Sequence, residues 1–298
     1  MKLLIKFPTR SRKKQFFETF NKYQEYISEP TTRFLITIDE DDSDMNNDEV
    51  LAILESYDNV SFVIGQSNSK IHAINRDIDT SEDWDIILLA SDDMIPQVKG
   101  FDKVINTLMN SNYPDTDGIL FFNDGFKGQE LNTLCILGKK YYERFNYIYY
   151  PEYKSVWSDN EFMLVGNLLR KQKYFPMVII KHEHPDWGYG KHDVIHNKNR
   201  SDLSFDMNLF KDRQSKNFYI WKKFAQYPIL ITYQKMFSFT HNDLHTNNVM
   251  YIPTNKKFIY YIYNKKTYKV PTFGKIYKLI DFGRAIYKFD GKLFCSDS

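Results

Sequence analysis

Apolar positions in the first hundred residues follow two alternating rhythms. "KLLIKFP", "RFLITID", "VSFVIG" and "WDIILLAS" are short apolar runs with the length and residue types of strands. Between them, "SRKKQFFETFNKYQEYI" sets Phe16, Phe17, Phe20 and Tyr23 at helical spacing, and "NNDEVLAILESY" and "NSKIHAINRDI" read as two further helices. Strands alternating with helices predict an α/β fold with a mostly parallel sheet flanked by helices. The unbroken apolar stretch "DIILLA" predicts a central strand covered on both faces.

Ligands of such sheets collect beyond the carboxyl ends of the strands. Polar or charged residues come after all four predicted strands, as "PTRSR", "DEDDSD", "GQSNSK" and "SDDM". Parallel strands bring these four ends to one edge, so a binding site is expected there. Further on, "GILFFNDG" and "TLCILGKKYYERF" predict strands around a turn. "SDNEFMLVGNLLRKQ" predicts a helix, and "PMVIIKHEHP" a strand with a charged tip. The polar stretch from Asp193 to Phe218 reads as a tail helix or a wrapping segment. Composition then shifts toward Tyr, Lys and Phe, which predicts two parts, residues 1–218 and 219–298.

Composition narrows the chemistry. Apolar residues make up 42% of the 298 positions, enough to bury a core. The net charge of +2 has no long block of one sign, which argues against nucleic acid as a partner, and "RSRKK" has the character of a solvated face. Cys135 and Cys295 stand far apart, so neither a zinc knuckle nor a disulfide scaffold is expected, and a reducing, cytoplasmic compartment fits. "MKLLIKFP" is too short and interrupted for a signal peptide, and no apolar run is long enough for a membrane span.

Two constellations carry chemistry. Asp92 and Asp93 at a strand tip can hold a hard divalent cation, Mn²⁺ or Mg²⁺, which would bridge the oxygens of a diphosphate. Adjacent acids are also ordinary turn formers. Asp159 and Glu161 open a predicted helix, where an acid could deprotonate an acceptor hydroxyl; the helix N-terminus is expected to lower its pKa, and Asp159 equally fits an N-cap. His182 and His184 alternate along a predicted strand and so share a face, and one of them could complete a metal shell. Trp187 suits either a sugar-stacking or a core position.

Up to about residue 218 the chain resembles the nucleotide-diphospho-sugar transferases of the GT-A type, close to the family-2 glycosyltransferases. "IKFPTRSR", with Pro8 and Arg10, looks like the strand and loop that cradle the nucleotide base. "ITIDEDDSD" resembles the second strand with its nucleoside-binding acid, here Asp39. "SNSKIHAINRDI" matches the segment with a basic residue and an Asn near the nucleotide, here Lys70 and Asn75. "LLASDDM" falls where the family places its metal-binding DxD motif, although it reads Ser91-Asp92-Asp93. The resemblance implies a metal-dependent glycosyltransferase acting on a nucleotide-sugar donor and an unknown acceptor hydroxyl. Asp92, Asp93 and His184 would hold the metal, and Asp159 or Glu161 would act as base. A nucleotidyltransferase is disfavoured, because no Gly-rich signature comes after the first strand.

The second constellation is "HNDLHTNNVM" and, beyond it, "LIDFGRA", which place Asp243, Asn248 and Asp281 in the order of a kinase catalytic loop and metal-binding Asp. Residues 219–298 therefore resemble part of a kinase-like protein, as found in large DNA viruses; a viral origin would place the chain in host cytoplasm. No Gly-rich loop or strand lysine precedes these motifs, and about 80 residues cannot build two lobes. The expectation is an incomplete segment that needs a partner chain to cover its apolar surface. A phosphotransferase and a non-catalytic binding protein are the alternative functions.

Overall fold

The computed structural model describes residues 1–183, 202–216, 218, 238–242, 248–263, 266–282 and 284–295. It divides into two compact units, Met1–Asp212 and Arg213–Ser298.

The first unit is built on β1 (Leu3–Thr9), α1 (Lys13–Tyr26), β2 (Arg33–Asp39), α2 (Asp48–Glu55), β3 (Val60–Gly65), α3 (Lys70–Asn75) and β4 (Ile86–Leu89). A short β5 (Met94–Pro96) and α4 (Phe101–Asn112) come next, then β6 (Ile119–Phe122), β7 (Ile136–Gly138) and α5 (Lys139–Glu143). The unit closes with α6 (Ser158–Leu169), β8 (Gln172–Phe175), β9 (Ile180–His182) and the start of α7 (Leu203–Ser215). Seven strands form one sheet in the order β3-β2-β1-β4-β7-β6-β8. Only β7 runs against its neighbours; the other pairings are parallel. The sheet is thus mostly parallel, as the alternating pattern predicts.

Strand alternation divides the sheet into two faces. Leu3, Ile5, Phe7, Phe34, Ile36, Ile38, Ile86 and Leu88 share one core with Phe16, Phe20 and Tyr23 of α1 and Phe101, Ile105 and Met109 of α4. The rings interlock edge to face, Phe7 against Phe16 at 5.0 Å and Tyr23 against Phe101 at 5.5 Å. All four residues of β4 are buried, which accounts for the unbroken run in "DIILLA". Asp102 holds α4 to the end of α1: fully buried, it accepts from the amides of Ser28 and Glu29 and from Thr32 Oγ1.

The predicted strand after "TLCILG" ends sooner than the pattern suggests. Past Gly138 the chain turns into α5, because Thr116 draws in the backbone: its carbonyl accepts from the Tyr141 amide and its hydroxyl from the Lys140 amide. A Cβ on Gly138 would lie 2.1 Å from the Thr116 carbonyl oxygen. Gly138→Ala is therefore expected to destabilise the first unit by about 1–3 kcal/mol, through backbone displacement, in urea titration.

Among the described residues of the second unit, strands occur as separate antiparallel pairs. They are β10 (Val249–Pro253) with β13 (Lys275–Leu279), β11 (Phe258–Tyr263) with β12 (Lys266–Pro271), and β14 (Ile286–Phe289) with β15 (Lys292–Cys295). Charge divides sharply between the units. Residues 1–212 hold 25 Lys and Arg against 34 Asp and Glu, a net −9, whereas residues 213–298 hold 15 against 4, a net +11.

Candidate active site

The four parallel strands β3-β2-β1-β4 end together, and the predicted polar tips meet there. Pro8, near the end of β1, pairs in register with Thr37 of β2. Arg10, just past β1, donates to Asp39 at 2.6 Å and grips both oxygens of Asp41 at 2.7 and 2.8 Å. Asp39 is 6% exposed; its other oxygen lies 3.6 Å from Arg76 and has no hydrogen-bond partner among the described residues.

Beneath this edge Lys6 is fully buried in the middle of β1. Its ammonium donates to Thr37 Oγ1 and, at 2.8 Å, to the Arg76 carbonyl, with Asp77 3.7 Å away. Burial pushes its pKa down to about 7, with Asp77 opposing and Arg76 reinforcing the shift. The unfolded chain holds the proton more tightly, so folding stability should rise as pH climbs from about 7 toward 10.5. Urea midpoints at pH 7 and pH 9.5 test this; Lys6→Met should flatten the rise.

Past β4, Ser91, Asp92 and Asp93 form the tip that opens the site. Arg12 lies 3.1 and 3.3 Å from the two oxygens of Asp92. Ser91 donates to Asp93, whose other oxygen is 3.4 Å from His182 Nε2. β5 pairs with β9 and carries His182 into place opposite Met94. The two adjoining carboxyls are driven apart. Burial and the neighbouring Asp93 raise Asp92, with Arg12 and Lys70 opposing. Burial would raise Asp93 too, but His182, Ser91 and Lys70 outweigh it and hold that group far below the usual carboxylate range.

Lys70 is exposed at the start of α3 and, among the described residues, makes no hydrogen bond or ion pair. Its charge nonetheless acts on Asp92, Asp93 and Asp159. Asp159 sits in the first turn of α6 behind the N-cap Trp157 and is not itself the cap. The helix terminus, expected to lower its pKa, does not prevail. Burial raises it instead, against the Asn160 amide at 2.9 Å and the charges of Lys70 and His182. A half-buried carboxyl with a raised pKa is what a general base requires.

Two expected site residues are engaged elsewhere. Asn75 accepts from the amides of Ile148 and Tyr149 and donates to the Tyr149 carbonyl, so its amide is committed to backbone. Glu161, 4% exposed, accepts from Tyr153 at 2.8 Å. Both hold the segment between α5 and α6. Arg12 is not among the expected binding residues, though "PTRSR" carries the signal; of the two alternating histidines, His182 is the one that lies beside Asp93. His184, Trp187 and Asp243 lie outside the described residues.

The donor set can be held against the needs of a divalent cation. Among the described residues no group of three His, Cys, Asp or Glu converges. Two do fit: Asp93 Oδ2 and His182 Nε2, 3.4 Å apart, are close to the ~3 Å separation of neighbouring ligands about 2.1 Å from one ion. In the second unit, the β10–β13 pair sets Asn248 and Asp281 at one end, with the Ile280 amide on the Asn248 carbonyl at 3.0 Å. His241, 3% exposed, lies 3.1 Å from the Ile280 carbonyl oxygen.

The first unit has the mostly parallel α/β fold of the GT-A glycosyltransferases. It is similar to the mannosyltransferase PcManGT from Pyrobaculum calidifontis, solved with GDP-Man and Mn²⁺, at a TM-score of 0.51 and 13% identity, over 63% of this chain and 58% of that one. TarS from S. aureus aligns at a TM-score of 0.49 and 14% identity, over 72% of this chain and 39% of TarS. TarS 1–349 in complex with UDP-GlcNAc aligns at 0.48 and 16%, over 61% and 58%. The chain thus spans under two thirds of each of these proteins. No protein-family model and no curated protein matches the chain. None of these similarities is to a kinase, so the kinase-like expectation for residues 219–298 gains no support. Among the described residues no helix is long and apolar enough to cross a membrane.

Proposed function

We infer that the chain transfers a sugar from a nucleotide-diphosphate donor to an acceptor hydroxyl. The observation that carries this reading is the convergence of the Asp92–Asp93 tip, Lys70, which is unpaired among the described residues, and the half-buried Asp159 on one edge of a GT-A sheet. The mannosyltransferase's complex with GDP-Man and Mn²⁺ supports the donor class and a divalent cation. In this reading Asp39, with an oxygen free of hydrogen bonds among the described residues, receives the nucleoside beside Pro8 and Arg10. Lys70 binds the diphosphate. Asp93 and His182 would hold the cation, whose charge would neutralise the departing diphosphate. Asp159 takes the acceptor proton as the acceptor oxygen attacks the anomeric carbon and the nucleoside diphosphate leaves, a single displacement with inversion.

Differential scanning fluorimetry with Mn²⁺ and a panel of GDP-, UDP- and CMP-sugars tests this. A metal-dependent rise with one sugar nucleotide is the expected result, since a ligand that binds only the folded state stabilises it. No shift with any of them would overturn it. A second reading, phosphotransfer by Asp243, Asn248 and Asp281, is favoured only by the adjacency of Asn248 and Asp281 at the end of β10–β13. A shift with ATP alone, with turnover lost in Asp281→Asn, would establish that reading instead.

A further inference from the structure

The segment between α5 and α6 is irregular, yet it carries Asp159 into the site. Polar side chains from α3, α6 and α7 pin it at successive points. Asn75 takes the amides of Ile148 and Tyr149, and Glu161 takes the hydroxyl of Tyr153, which is fully buried. The third pin comes from α7. Asp206, also fully buried, accepts three successive backbone amides, from Lys154, Ser155 and Val156, each at 2.9 Å. A carboxylate gripping three adjacent N–H groups fixes the turn far more tightly than a neutral acceptor would.

The residue just past this turn needs such support. Trp157 adopts the left-handed conformation at φ 63°, which is strained for an aromatic residue and persists only where its surroundings hold it. Phe210, one helical turn beyond Asp206, packs its ring 4.9 Å from that of Trp157. Asp159 stands two residues further on. The Lys154 carbonyl also receives the Ile71 amide at 3.4 Å, tying the same turn to the start of α3, where Lys70 lies.

We propose that α7 is a clamp on the catalytic turn, and that Asp206 is a positioning residue that sets Asp159 against the acceptor hydroxyl. The proposal rests on the sugar-transfer reading. Asp206 touches neither substrate; it acts through Trp157 and the first turn of α6. A displacement of about 1 Å at a base costs up to ~10²-fold in rate, while donor contacts made by Arg10 and Asp39 lie at the ends of β1 and β2 and should persist.

The test uses the full chain with Asp206→Ala, Asp206→Asn and Phe210→Leu. Hydrogen exchange should quicken about tenfold or more in peptides spanning residues 153–158 of Asp206→Ala, while those over β1–β4 keep wild-type protection. Turnover number should fall about 30–100-fold with the donor KM within about threefold of wild type. Asp206→Asn keeps the volume and one acceptor oxygen, so it should lie between, and it replaces Asp206→Ala if the latter does not fold. Phe210→Leu should give a smaller loss of the same kind. Unchanged exchange, or an unchanged turnover number with a raised donor KM, would overturn the clamp. If the wild-type chain turns over no sugar nucleotide, the transfer reading fails and the positioning role with it; quickened exchange would then leave only a structural pin.

Discussion

Asp159→Asn should reduce sugar transfer by about 10²–10⁴-fold, the span of general-base catalysis, while leaving the donor-induced thermal shift in place. The amide keeps the shape of the carboxyl and its bond to the Asn160 amide, but cannot accept the proton of the acceptor. In the wild-type chain the acid limb of the rate should lie above the ordinary carboxylate value of about 3.9, because burial raises the Asp159 pKa. The sign is fixed: protonation on lowering the pH removes the base, so the rate falls through the raised pKa. An Asp159→Asn variant with near-wild-type rate would move the base elsewhere.

Asp93→Asn should abolish the metal-dependent part of the donor-induced shift and lower turnover by at least ~10²-fold. Asp93 is the carboxylate kept ionised by His182, Ser91 and Lys70, and the one whose second oxygen faces His182. Asp92→Asn is expected to do less, since Arg12 already occupies both Asp92 oxygens. Fluorimetry with and without Mn²⁺, run alongside the rate, separates the two. Equal losses in both variants would mean that the pair acts as one ligand set.

Much of this architecture is legible in the chain itself. β1 to β4 stand where the apolar runs lie, and their parallel pairing gathers the polar tips because one rule of chain direction governs all four. α4 has no counterpart among the predicted elements, although Phe101, Ile105 and Met109 recur every four residues. The site divides on a different line. Asp92, Asp93 and Lys70 lie at element ends, where residue type and position suffice to place them at the sheet edge. Asn75 and Glu161 have suitable side chains in suitable places, yet Ile148, Tyr149 and Tyr153 engage them through folds of the chain that no local pattern encodes. Asp206 shows the same limit in reverse. A helix polar enough to read as a tail buries its carboxylate completely, because three amides dozens of residues upstream wait for it.

The opposite charges of the two units change how the molecule behaves toward other surfaces. A sequence pI of 8.2 describes neither body: one is an acid, the other a strong base, and their sum conceals both. Resins of either sign should retain the chain in dilute buffer and release it as salt shortens the reach of each field to about 8 Å.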